Sequence, residues 1–374
     1  MEKAPLKAYR KRILFLMPTL SGGGAERVIV TLLQHLDRSR FEPHLALVDA
    51  VGPLCNELPA DIPIHDLKAR RVRRAFPGIV RLAWKLKPEV IHSAMVELNL
   101  ATVLLRAFFP PGLRVLIRED NLPSALNAQE RKHLRIWNWL YRRLYPRADK
   151  IICVGDQVLN DLAGNFAIPR SKLLRIYNPL DLDLIRRLAE TGGSPYSGNG
   201  PHLVAAGRLA NQKGFDVLLD AMPLVRAVVS DADLTILGEG PLKPDLLAQR
   251  ERLGLRGTVH FAGFQLNPHP YFKHADLFVL SSRYEGFGLV AIEALAVGTP
   301  VVATDCLGAV REILADCPLA RLVPISDPQA LAGAIITALR SEKKELQPCW
   351  SLDPFLSQFD VKTVLREYEE ILGT

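Results

Sequence analysis

Glu285-Gly-Phe-Gly-Leu-Val-Ala-Ile-Glu293 points most directly to a fold, because it joins an apolar run to a helical pattern through two glycines. The run that ends in Val279-Leu280-Ser281-Ser282 is typical of a buried strand, and Leu289 to Ala296 has the apolar composition of a helix. Gly286 and Gly288 leave the backbone free to turn between them. We therefore predict a strand, a tight turn and a helix that begins inside this stretch.

The same stretch places two carboxylates around the start of the predicted helix. The unpaired N–H groups and the positive dipole end of a helix attract a diphosphate. Glu285 precedes the helix, whereas Glu293 lies about a turn and a half inside it and leans back toward its start. A carboxylate there suits ribose hydroxyls. The spacing indicates a nucleotide-sugar site, and the alternative is a surface helix with two solvated glutamates.

Length and composition indicate a globular protein of two domains. The chain has 374 residues, more than one core usually serves, with 48% hydrophobic and 23% charged residues. Its five cysteines are scattered without metal-type spacing, so we expect reduced thiols in a cytosolic compartment, and neither disulfides nor structural zinc. The formal net charge of +7 is moderate, and its clustering is more informative about partners than its total.

We expect neither a signal peptide nor a membrane-spanning helix. The first apolar run, Ile13 to Met17, is short and ends at Pro18. No stretch approaches the ~18 apolar residues of a spanning helix.

Short apolar runs alternate with longer helical patterns along the whole chain, as in parallel sheets with helical crossovers. The series occurs twice. We predict an α/β protein with two doubly wound, Rossmann-like domains that face a cleft and bind ligands at the carboxyl ends of their strands. The predicted strands are Ile13–Met17, Pro43–Val48, Val90–Ser93, Arg114–Arg118, Lys150–Val154, Leu203–Ala206, Leu234–Leu237, Thr258–Phe261, Leu277–Leu280 and Val301–Thr304.

The domain boundaries follow from the two series. We predict a first domain over residues 1–180, a second over 181–355, and a C-terminal helix within 356–374 that returns to the first domain. Thr191 to Pro201 has the strongest concentration of Gly, Ser and Pro and is the expected junction region. The apolar residues of Val361 to Leu372 follow helical spacing and need a surface to cover.

Two further glycine-rich turns follow predicted strands. Gly22-Gly23-Gly24 precedes a helical pattern, where a backbone without side chains can approach a phosphate or sugar closely, and a simple tight turn is the alternative. It matches neither the Walker loop nor G-x-G-x-x-G. Gly238-Glu-Gly-Pro241 is compatible with a ligand wall or with turn chemistry alone.

Arg208 and Lys213 are a candidate pair of cations after the strand Leu203–Ala206. Two permanent charges at one strand end would stabilise the charge that grows on a leaving diphosphate. The alternative is a pair of solvated loop cations.

The ordered set of motifs resembles glycosyltransferase family 4 over nearly the whole chain, and its most specific segment is Glu285 to Glu293. The motifs are Gly22-Gly23-Gly24, Asn178-Pro-Leu-Asp181, Gly207-Arg208, Lys213-Gly214, Gly238-Glu-Gly-Pro241, Val259-His-Phe-Ala-Gly263 and Glu285-Gly-Phe-Gly-Leu-Val-Ala-Ile-Glu293.

The resemblance implies a GT-B fold in which the first domain binds the acceptor and the second binds a nucleotide sugar. It implies transfer with retention at the anomeric carbon and no need for a metal or other cofactor. By the same resemblance, Arg208 and Lys213 hold the diphosphate, Glu293 the ribose, and Glu285 the donor sugar. The donor-binding residues implied or suggested by the motifs are Gly22, Gly23, Gly24, Arg208, Lys213, Gly238, Glu285, Gly286, Phe287, Gly288, Leu289 and Glu293.

The first domain departs from the family near the reacting sugar. Many relatives carry a histidine where this chain has Ile117-Arg-Glu-Asp-Asn121. Glu119 is our candidate for that catalytic role, or for a hydrogen bond to a sugar hydroxyl, and structural pairing with Arg118 is the alternative. We interpret His92, at another predicted strand end, as a hydrogen-bonded structural residue. Arg118 to Ser124 is similar to members that build bacterial polysaccharide or lipid-linked oligosaccharide.

A basic amphipathic helix is predicted over Arg131 to Arg147. One face carries Leu134, Trp137, Leu140, Tyr141, Leu144 and Tyr145, and the other carries Arg131, Lys132, Arg135, Arg142 and Arg143 with Ile136 and Trp139 among them. Cations around a tryptophan suit an anionic membrane surface, and Lys68 to Arg74 would enlarge the patch if the two meet. A core helix with snorkelling arginines is the alternative.

The sequence therefore predicts a metal-independent, retaining glycosyltransferase that moves a sugar from a nucleotide-diphosphate donor, a UDP-sugar, to a lipid-linked or polysaccharide acceptor. We expect a cytoplasmic protein, peripheral on the inner face of the cytoplasmic membrane. A nucleotide-sugar epimerase of the same fold and a catalytically silent sugar-nucleotide-binding partner are the alternatives. We expect no nucleic-acid partner, because the acidic site residues would repel a polyphosphate.

Overall fold

The computed structural model describes residues 9–130, 133–198, 200–340 and 352–374. Within these residues the chain folds into two compact units. The first holds the described residues up to Pro179 together with Val361–Thr374, and the second holds those of Leu180–Asp360. Each unit is built on its own parallel sheet.

The strands of the first unit are β1 (Lys11–Met17), β2 (Phe41–Leu47), β3 (Ile64–Asp66), β4 (Val90–Ala94), β5 (Arg114–Glu119), β6 (Lys150–Cys153) and β7 (Leu173–Arg175). They form one parallel sheet in the order β3-β2-β1-β4-β5-β6-β7. The order reverses between β1 and β4, so crossover helices cover both faces of the sheet. Ile13 to Met17 are almost completely buried, as a strand covered on both faces requires.

The helices that connect these strands are α1 (Gly24–His35), α2 (Val72–Leu86), α3 (Val96–Leu105), α4 (Pro123–Glu130), α5 (Leu134–Leu144) and α6 (Asp156–Asn165). Among them, α2 packs against α3, and α3 packs against α5.

The C-terminal helix, Val361–Gly373, belongs to the first unit and packs against α1. Its buried residues include Val364 and Tyr368. Glu369 accepts a hydrogen bond from the Asp37 N–H at 2.9 Å and forms an ion pair with Arg40 at 3.0 Å. The described residues from Leu352 to Asp360 belong to the second unit, so the return to the first unit starts five residues after the predicted boundary at 356.

The strands of the second unit are β8 (His202–Ala206), β9 (Asp233–Leu237), β10 (Val259–Gly263), β11 (Leu277–Leu280), β12 (Tyr284–Glu285), β13 (Val301–Thr304), β14 (Leu307–Gly308) and β15 (Ala320–Val323). Six of them form a parallel sheet in the order β10-β9-β8-β11-β13-β15, and β12 pairs with β14. This order reverses between β8 and β11, as in dinucleotide-binding folds.

The described helices of the second unit are α7 (Leu182–Ala189), α8 (Phe215–Arg226), α9 (Lys243–Arg252), α10 (His269–His274), α11 (Leu289–Ala296), α12 (Val310–Leu314), α13 (Pro328–Arg340) and α14 (Asp353–Leu356). The core of this unit lies where α8 and α13 pack against the sheet through residues such as Leu218, Met222 and Leu331.

All ten predicted strands are present, so the prediction of two parallel-sheet α/β domains is confirmed. The prediction missed β3, β7 and β15, which lie at sheet edges and keep part of their residues in solvent. Partial exposure breaks the continuous apolar run by which a buried strand is recognised. The two-residue strands β12 and β14 were also missed.

The Gly/Ser/Pro-rich segment from Thr191 to Pro201 is not a junction between units. Its described residues connect α7 to β8 inside the second unit, and the chain passes between units after Pro179 and after Asp360. The junction prediction was wrong because Gly, Ser and Pro mark surface loops in general, and such loops also occur within domains.

Candidate active site

The carboxyl ends of β8 and β11 are neighbours at the point where the second sheet reverses its strand order. Ligands of open parallel sheets bind at such a point. The chain leaves β8 through Gly207 and Arg208, and it leaves β11 through Ser281 and Ser282. The two main groups of predicted donor residues therefore start from adjacent strand ends.

The Glu285–Glu293 stretch has the predicted local structure. Gly288 adopts a φ of +86° and directly precedes α11, which spans Leu289–Ala296 as predicted. Glycine tolerates this left-handed conformation without steric cost. The prediction that the helix begins inside the stretch is confirmed.

The main chain at Glu285 is held by β14. Glu285 pairs with Gly308, whose φ is +120°, and a Cβ atom on Gly308 would lie 1.4 Å from the carbonyl oxygen of Glu285. Only glycine permits this approach. Gly308 was not predicted, although its position four residues after the predicted strand Val301–Thr304 was available as a signal.

Lys213 and Glu285 form an ion pair. Lys213 Nζ lies 2.5 Å from Glu285 Oε2, and the Ser282 hydroxyl donates to the same oxygen at 3.1 Å. Both charged side chains are largely buried. The structure thus brings together a cation that was predicted for the diphosphate and a carboxylate that was predicted for the sugar.

The loop of Lys213 is fixed against the end of β11 by its neighbours. The Ser281 hydroxyl donates to the Lys213 carbonyl at 2.8 Å. Gly214 adopts a φ of +61°, and a Cβ atom there would lie 2.1 Å from the Ser281 carbonyl oxygen. A side chain at position 214 would therefore push the lysine loop away from β11.

Arg208 is exposed at the end of β8. Within the described parts of the chain, no carboxylate pairs with its guanidinium, so its charge is available to an anion. Arg208 and Lys213 leave the same strand end, but only Lys213 is engaged by Glu285.

The Gly238–Gly240 turn packs directly on the loop that carries Arg208. A Cβ atom on Gly238 would lie 2.0 Å from the Gly207 carbonyl oxygen, and one on Gly240 would lie 2.4 Å from the Leu209 carbonyl oxygen. The Leu209 N–H also donates to the Glu239 carbonyl at 3.0 Å. These contacts explain both glycines by close backbone approach, and they make the turn a support for the Arg208 loop.

Arg283 was not predicted, yet it links the two halves of the site. Its guanidinium makes two hydrogen bonds to the carboxylate of Asp216, at 2.8 and 2.6 Å, and one to the Asn211 carbonyl at 2.9 Å. Burial raises the pKa of Asp216, but the hydrogen bonds and charge of Arg283 outweigh it and leave this pKa below its usual value. No local pattern marks a pair 67 positions apart.

Glu293 is buried in α11, and one of its partners is a histidine that was not predicted. His269 Nε2 lies 3.5 Å from Glu293 Oε2, and both side chains are less than a tenth exposed. His269 is the first residue of α10. This burial disfavours the alternative in which Glu293 is a solvated glutamate on a surface helix.

In the first unit, Gly22 and Gly23 lie in the turn between β1 and α1, and Gly24 is the first residue of α1. Gly22 has a φ of +105°, and the Gly23 N–H donates to Glu26 Oε2 at 2.6 Å. The Thr19 hydroxyl donates to the other oxygen of Glu26 at 2.8 Å. The Glu26 carboxylate therefore already accepts from the Gly23 N–H, which is one of the backbone donors predicted to lie near a phosphate.

Glu119 ends β5 and is 1% exposed. It accepts hydrogen bonds from the hydroxyls of Tyr145 at 2.6 Å and Tyr141 at 3.4 Å. Burial raises the pKa of Glu119 to about 8. The carboxylate is turned toward two tyrosines rather than toward an open surface, which favours a structural role over contact with a sugar.

Arg118 does not pair with Glu119 as the structural alternative suggested. Its guanidinium is fully buried, forms an ion pair with Asp120 at 2.6 Å and donates to Asn178 Oδ1 at 2.5 Å. Asn178 directly precedes Pro179, where the chain leaves the first unit.

His92 is completely buried in β4 between the rings of Phe15 and Tyr368. Burial, together with the charge of Arg118, lowers the pKa of His92 to about 3, so its ring is neutral. Neither ring nitrogen has a hydrogen-bond partner among the described residues. The expectation of a structural histidine fits this burial, but the expectation of a hydrogen bond was wrong, because the ring packs against aromatic neighbours.

Helix α5 presents apolar and basic side chains to solvent. Ile136 and Trp139 are 56% and 60% exposed, while Tyr141 and Leu144 are buried. Leu134 was predicted on the inner face, but it is the first residue of the helix and is 41% exposed. Arg131 and Lys132 lie outside the described residues.

The exposed arginines on α5 are Arg135, Arg142 and Arg143. Lys68 to Arg74, which was predicted to enlarge this basic patch, leads into α2. Because α3 packs between α2 and α5, this segment does not continue the surface of α5 directly. None of the helices in the described ranges combines the length and apolar composition needed to cross a bilayer.

Two family models match the chain. The model described as Glycosyltransferase Family 4 matches residues 22–184, and the model described as Glycosyl transferases group 1 matches residues 200–341. One relative, the N-acetylgalactosamine-N,N'-diacetylbacillosaminyl-diphospho-undecaprenol 4-alpha-N-acetylgalactosaminyltransferase of Campylobacter jejuni, is 31% identical over 335 residues, which are 87% of this chain and 89% of that protein.

Further relatives and solved structures agree with this match. A lipopolysaccharide core biosynthesis mannosyltransferase of Rhizobium leguminosarum is 29% identical over 74% of each chain. Anabaena HepE, crystallised with UDP and glucose, superposes with a TM-score of 0.79 at 21% identity over 97% of this chain and all of that one. The sucrose-phosphate synthase of Thermosynechococcus elongatus gives a TM-score of 0.81 at 19% identity, over 97% and 98% of the two chains.

The structural likeness shows the GT-B fold class, and the sequence identity over most of both chains shows the family. The chain therefore belongs to the family 4 glycosyltransferases.

Proposed function

We propose that this protein is a retaining glycosyltransferase that moves a sugar from a UDP-sugar to a lipid-linked or polysaccharide acceptor. The observation that carries the proposal is the placement of Arg208, Lys213 and Glu285 around adjacent strand ends of one Rossmann-like unit. The relatives support the substrate classes. One is named for a diphospho-undecaprenol-linked substrate, another for lipopolysaccharide core biosynthesis, and HepE was crystallised with UDP.

In this proposal the donor diphosphate competes with Glu285 for Lys213. A diphosphate carries more negative charge than one carboxylate, and Arg208 is already available to share it. Once Lys213 turns to the diphosphate, the Glu285 carboxylate can accept hydrogen bonds from hydroxyls of the donor sugar. Glu293 then binds the ribose, and the backbone from Gly286 to Leu289 lies along the sugar and its phosphate.

The transfer proceeds by attack on the face from which the diphosphate departs. The acceptor oxygen forms the new bond to the anomeric carbon as the bond to the diphosphate oxygen breaks. The departing diphosphate oxygen takes the acceptor proton, and Arg208 and Lys213 stabilise its charge. Glu119 is buried and accepts a hydrogen bond from Tyr145, which supports a route in which Glu119 does not act as a nucleophile.

We propose that no metal ion takes part, because two side-chain cations at one strand end supply the charge that a metal would supply. The test is transfer activity after exhaustive dialysis against EDTA. Full activity supports the proposal, and loss that is restored by Mg²⁺ or Mn²⁺ overturns it.

We further propose that α5 rests on the cytoplasmic face of a membrane when the acceptor is lipid-linked. Ile136 and Trp139 are exposed among arginines, and such a mixture suits the headgroup layer of anionic lipids.

The experiment that tests the enzymatic proposal is a thermal-shift panel of nucleotide sugars followed by kinetics of Arg208→Ala. A selected donor raises the melting temperature because it binds the folded state. Arg208→Ala should lower turnover roughly 100-fold while weakening UDP binding far less, because the guanidinium acts on charge that develops during transfer. Arg256→Ala, at an exposed arginine of the same unit, is the control and should change neither quantity.

Equal losses of turnover and UDP affinity in Arg208→Ala would contradict the proposed mechanism. Release of an epimerised sugar nucleotide without any glycan product would instead identify an epimerase.

A further inference from the structure

His269 is a buried neighbour of the proposed ribose-binding carboxylate. Its Nε2 atom lies 3.5 Å from Glu293 Oε2, and helices α10 and α11, which carry the two residues, pack against each other. A buried carboxylate without an opposite charge is costly. The contact with His269 can therefore affect whether the Glu293 carboxylate is ionised.

Asn267 determines which ring nitrogen of His269 carries hydrogen. Its amide nitrogen donates to the Leu188 carbonyl at 3.0 Å, and its amide oxygen accepts from the His269 backbone N–H at 3.2 Å. A carbonyl can only accept and a backbone N–H can only donate, so the side-chain oxygen of Asn267 faces the histidine. His269 Nδ1 lies 2.8 Å from that oxygen, and it must therefore carry a hydrogen.

The second ring nitrogen then decides the charge of the pair. With hydrogen fixed on Nδ1, Nε2 attracts an ionised Glu293 only if it also carries hydrogen, and the ring is then an imidazolium. An ionised carboxylate offers acceptors at both oxygens, whereas a protonated one uses one oxygen as a donor. The two hydroxyls of a ribose are best met by the ionised form.

We propose that His269 is a positioning residue for nucleotide recognition, which keeps Glu293 ionised and oriented to accept hydrogen bonds from the ribose hydroxyls of the donor. The inference rests on the proposed function, in which Glu293 binds the ribose.

The test compares the affinities of UDP and 2′-deoxy-UDP by isothermal titration calorimetry. Wild type should prefer UDP roughly tenfold or more, since a hydrogen bond to a charged group is lost in the deoxy ligand. The preference should fall to about threefold or less in both Glu293→Gln and His269→Leu. A histidine with only a packing role would weaken both nucleotides equally and leave the preference unchanged.

The matched control is His274→Leu, the same substitution at an exposed position of α10, which should keep the wild-type preference. Where His269→Leu does not fold, His269→Gln decides the question. Glutamine retains a donor toward Glu293 without a charge, so its preference for UDP should fall between those of wild type and Glu293→Gln.

The outcomes separate this inference from the function on which it rests. A preference that is lost in Glu293→Gln but kept in the folded His269 variants overturns the role of His269 alone. A wild-type protein that does not prefer UDP overturns the ribose role of Glu293 and the inference with it.

Discussion

The Lys213 ammonium lies 2.5 Å from the Glu285 carboxylate, so each of these two site residues neutralises the other. Both side chains are largely buried, where an unpaired charge would be costly. In the function that we propose, binding of a donor exchanges these partners, so that the lysine turns to the diphosphate and the glutamate to the sugar.

Glu285→Ala should separate nucleotide binding from sugar binding. We expect the affinity for UDP to stay within about twofold of wild type, because Lys213 is released to bind the diphosphate, while the affinity for the UDP-sugar falls about tenfold. Calorimetric titration with each ligand measures the two effects. Glu293→Ala is the comparison and should weaken both ligands alike. An equal loss for UDP and the UDP-sugar in Glu285→Ala would refute the assignment.

Asp216→Asn should impair catalysis from outside the site. Arg283 holds Asp216 and the Asn211 carbonyl, and these contacts fix the loop that carries Lys213. When asparagine weakens the contacts with Arg283, we expect turnover to fall roughly tenfold. A small displacement of the Lys213 charge reduces its effect on the transition state. The loss of stability in Asp216→Asn should be no more than about 1 kcal/mol, because the Arg283–Asp216 pair is partly exposed.

Steady-state kinetics and thermal unfolding check this prediction. Asp220→Asn, one turn along α8, is the control, because asparagine can still accept the hydrogen bond from Gln249. A variant with normal turnover, or one whose turnover falls only with global unfolding, would show that Asp216 has no positioning role.

Gly308→Ala should displace the main chain of Glu285. The added Cβ atom would lie 1.4 Å from the Glu285 carbonyl oxygen in a backbone with φ of +120°. Strain of this kind costs about 1–3 kcal/mol and should also reduce binding of the UDP-sugar. Gly333→Ala in helix α13, where the added Cβ would meet no atom within 4 Å beyond its chain neighbours and its own helix backbone, should be neutral or stabilising. Equal melting temperatures for the two variants would contradict the prediction.

Glu119→Gln should change how stability depends on pH. Burial raises the pKa of Glu119 to about 8 from an ordinary value of 4.5. The folded chain therefore holds this proton up to a higher pH than the unfolded chain, and its stabilising effect is complete below pH 4.5 and lost as pH rises through 8. Between pH 5 and pH 8, the stability of the variant relative to wild type should rise by at most about 4 kcal/mol.

Urea unfolding at the two pH values measures this difference. Glu370→Gln, an exposed glutamate of the C-terminal helix, should follow wild type at both pH values. A Glu119→Gln variant that parallels wild type would show that Glu119 is ionised in the folded protein.

Trp139→Ala and Arg143→Ala should each weaken binding to vesicles that contain anionic lipid. Both side chains are exposed on α5, and one cation near an anionic surface contributes about 1 kcal/mol, or about fivefold in affinity. Vesicle co-sedimentation checks the loss, which for Arg143→Ala should disappear in high salt. Phe108→Ala, at a 62% exposed aromatic outside α5, is the control. Equal losses in all three variants would show that α5 is not the contact surface.

Part of the candidate site was predictable from local patterns. The glycines at 286 and 288, the start of α11 at Leu289, and the ten apolar runs that became strands are properties of neighbouring residues. Arg208 and Lys213 were recognised because both follow one predicted strand. The partners of these residues were not recognised, since nothing in the local sequence connects Lys213 to Glu285 or Arg283 to Asp216.

The sequence by itself determined the two parallel-sheet units, the position of the strand–turn–helix at Glu285 to Glu293, and the family. Hydrophobic periodicity and glycine geometry act over a few residues, so the sequence shows them directly. Only the tertiary structure decided that Lys213 neutralises Glu285, that His269 lies against Glu293, and that Glu119 faces two tyrosines. These relationships depend on burial and on pairs far apart in the chain. The free energy of a charged group is set by its partners and its distance from water, and neither is a local property of the sequence.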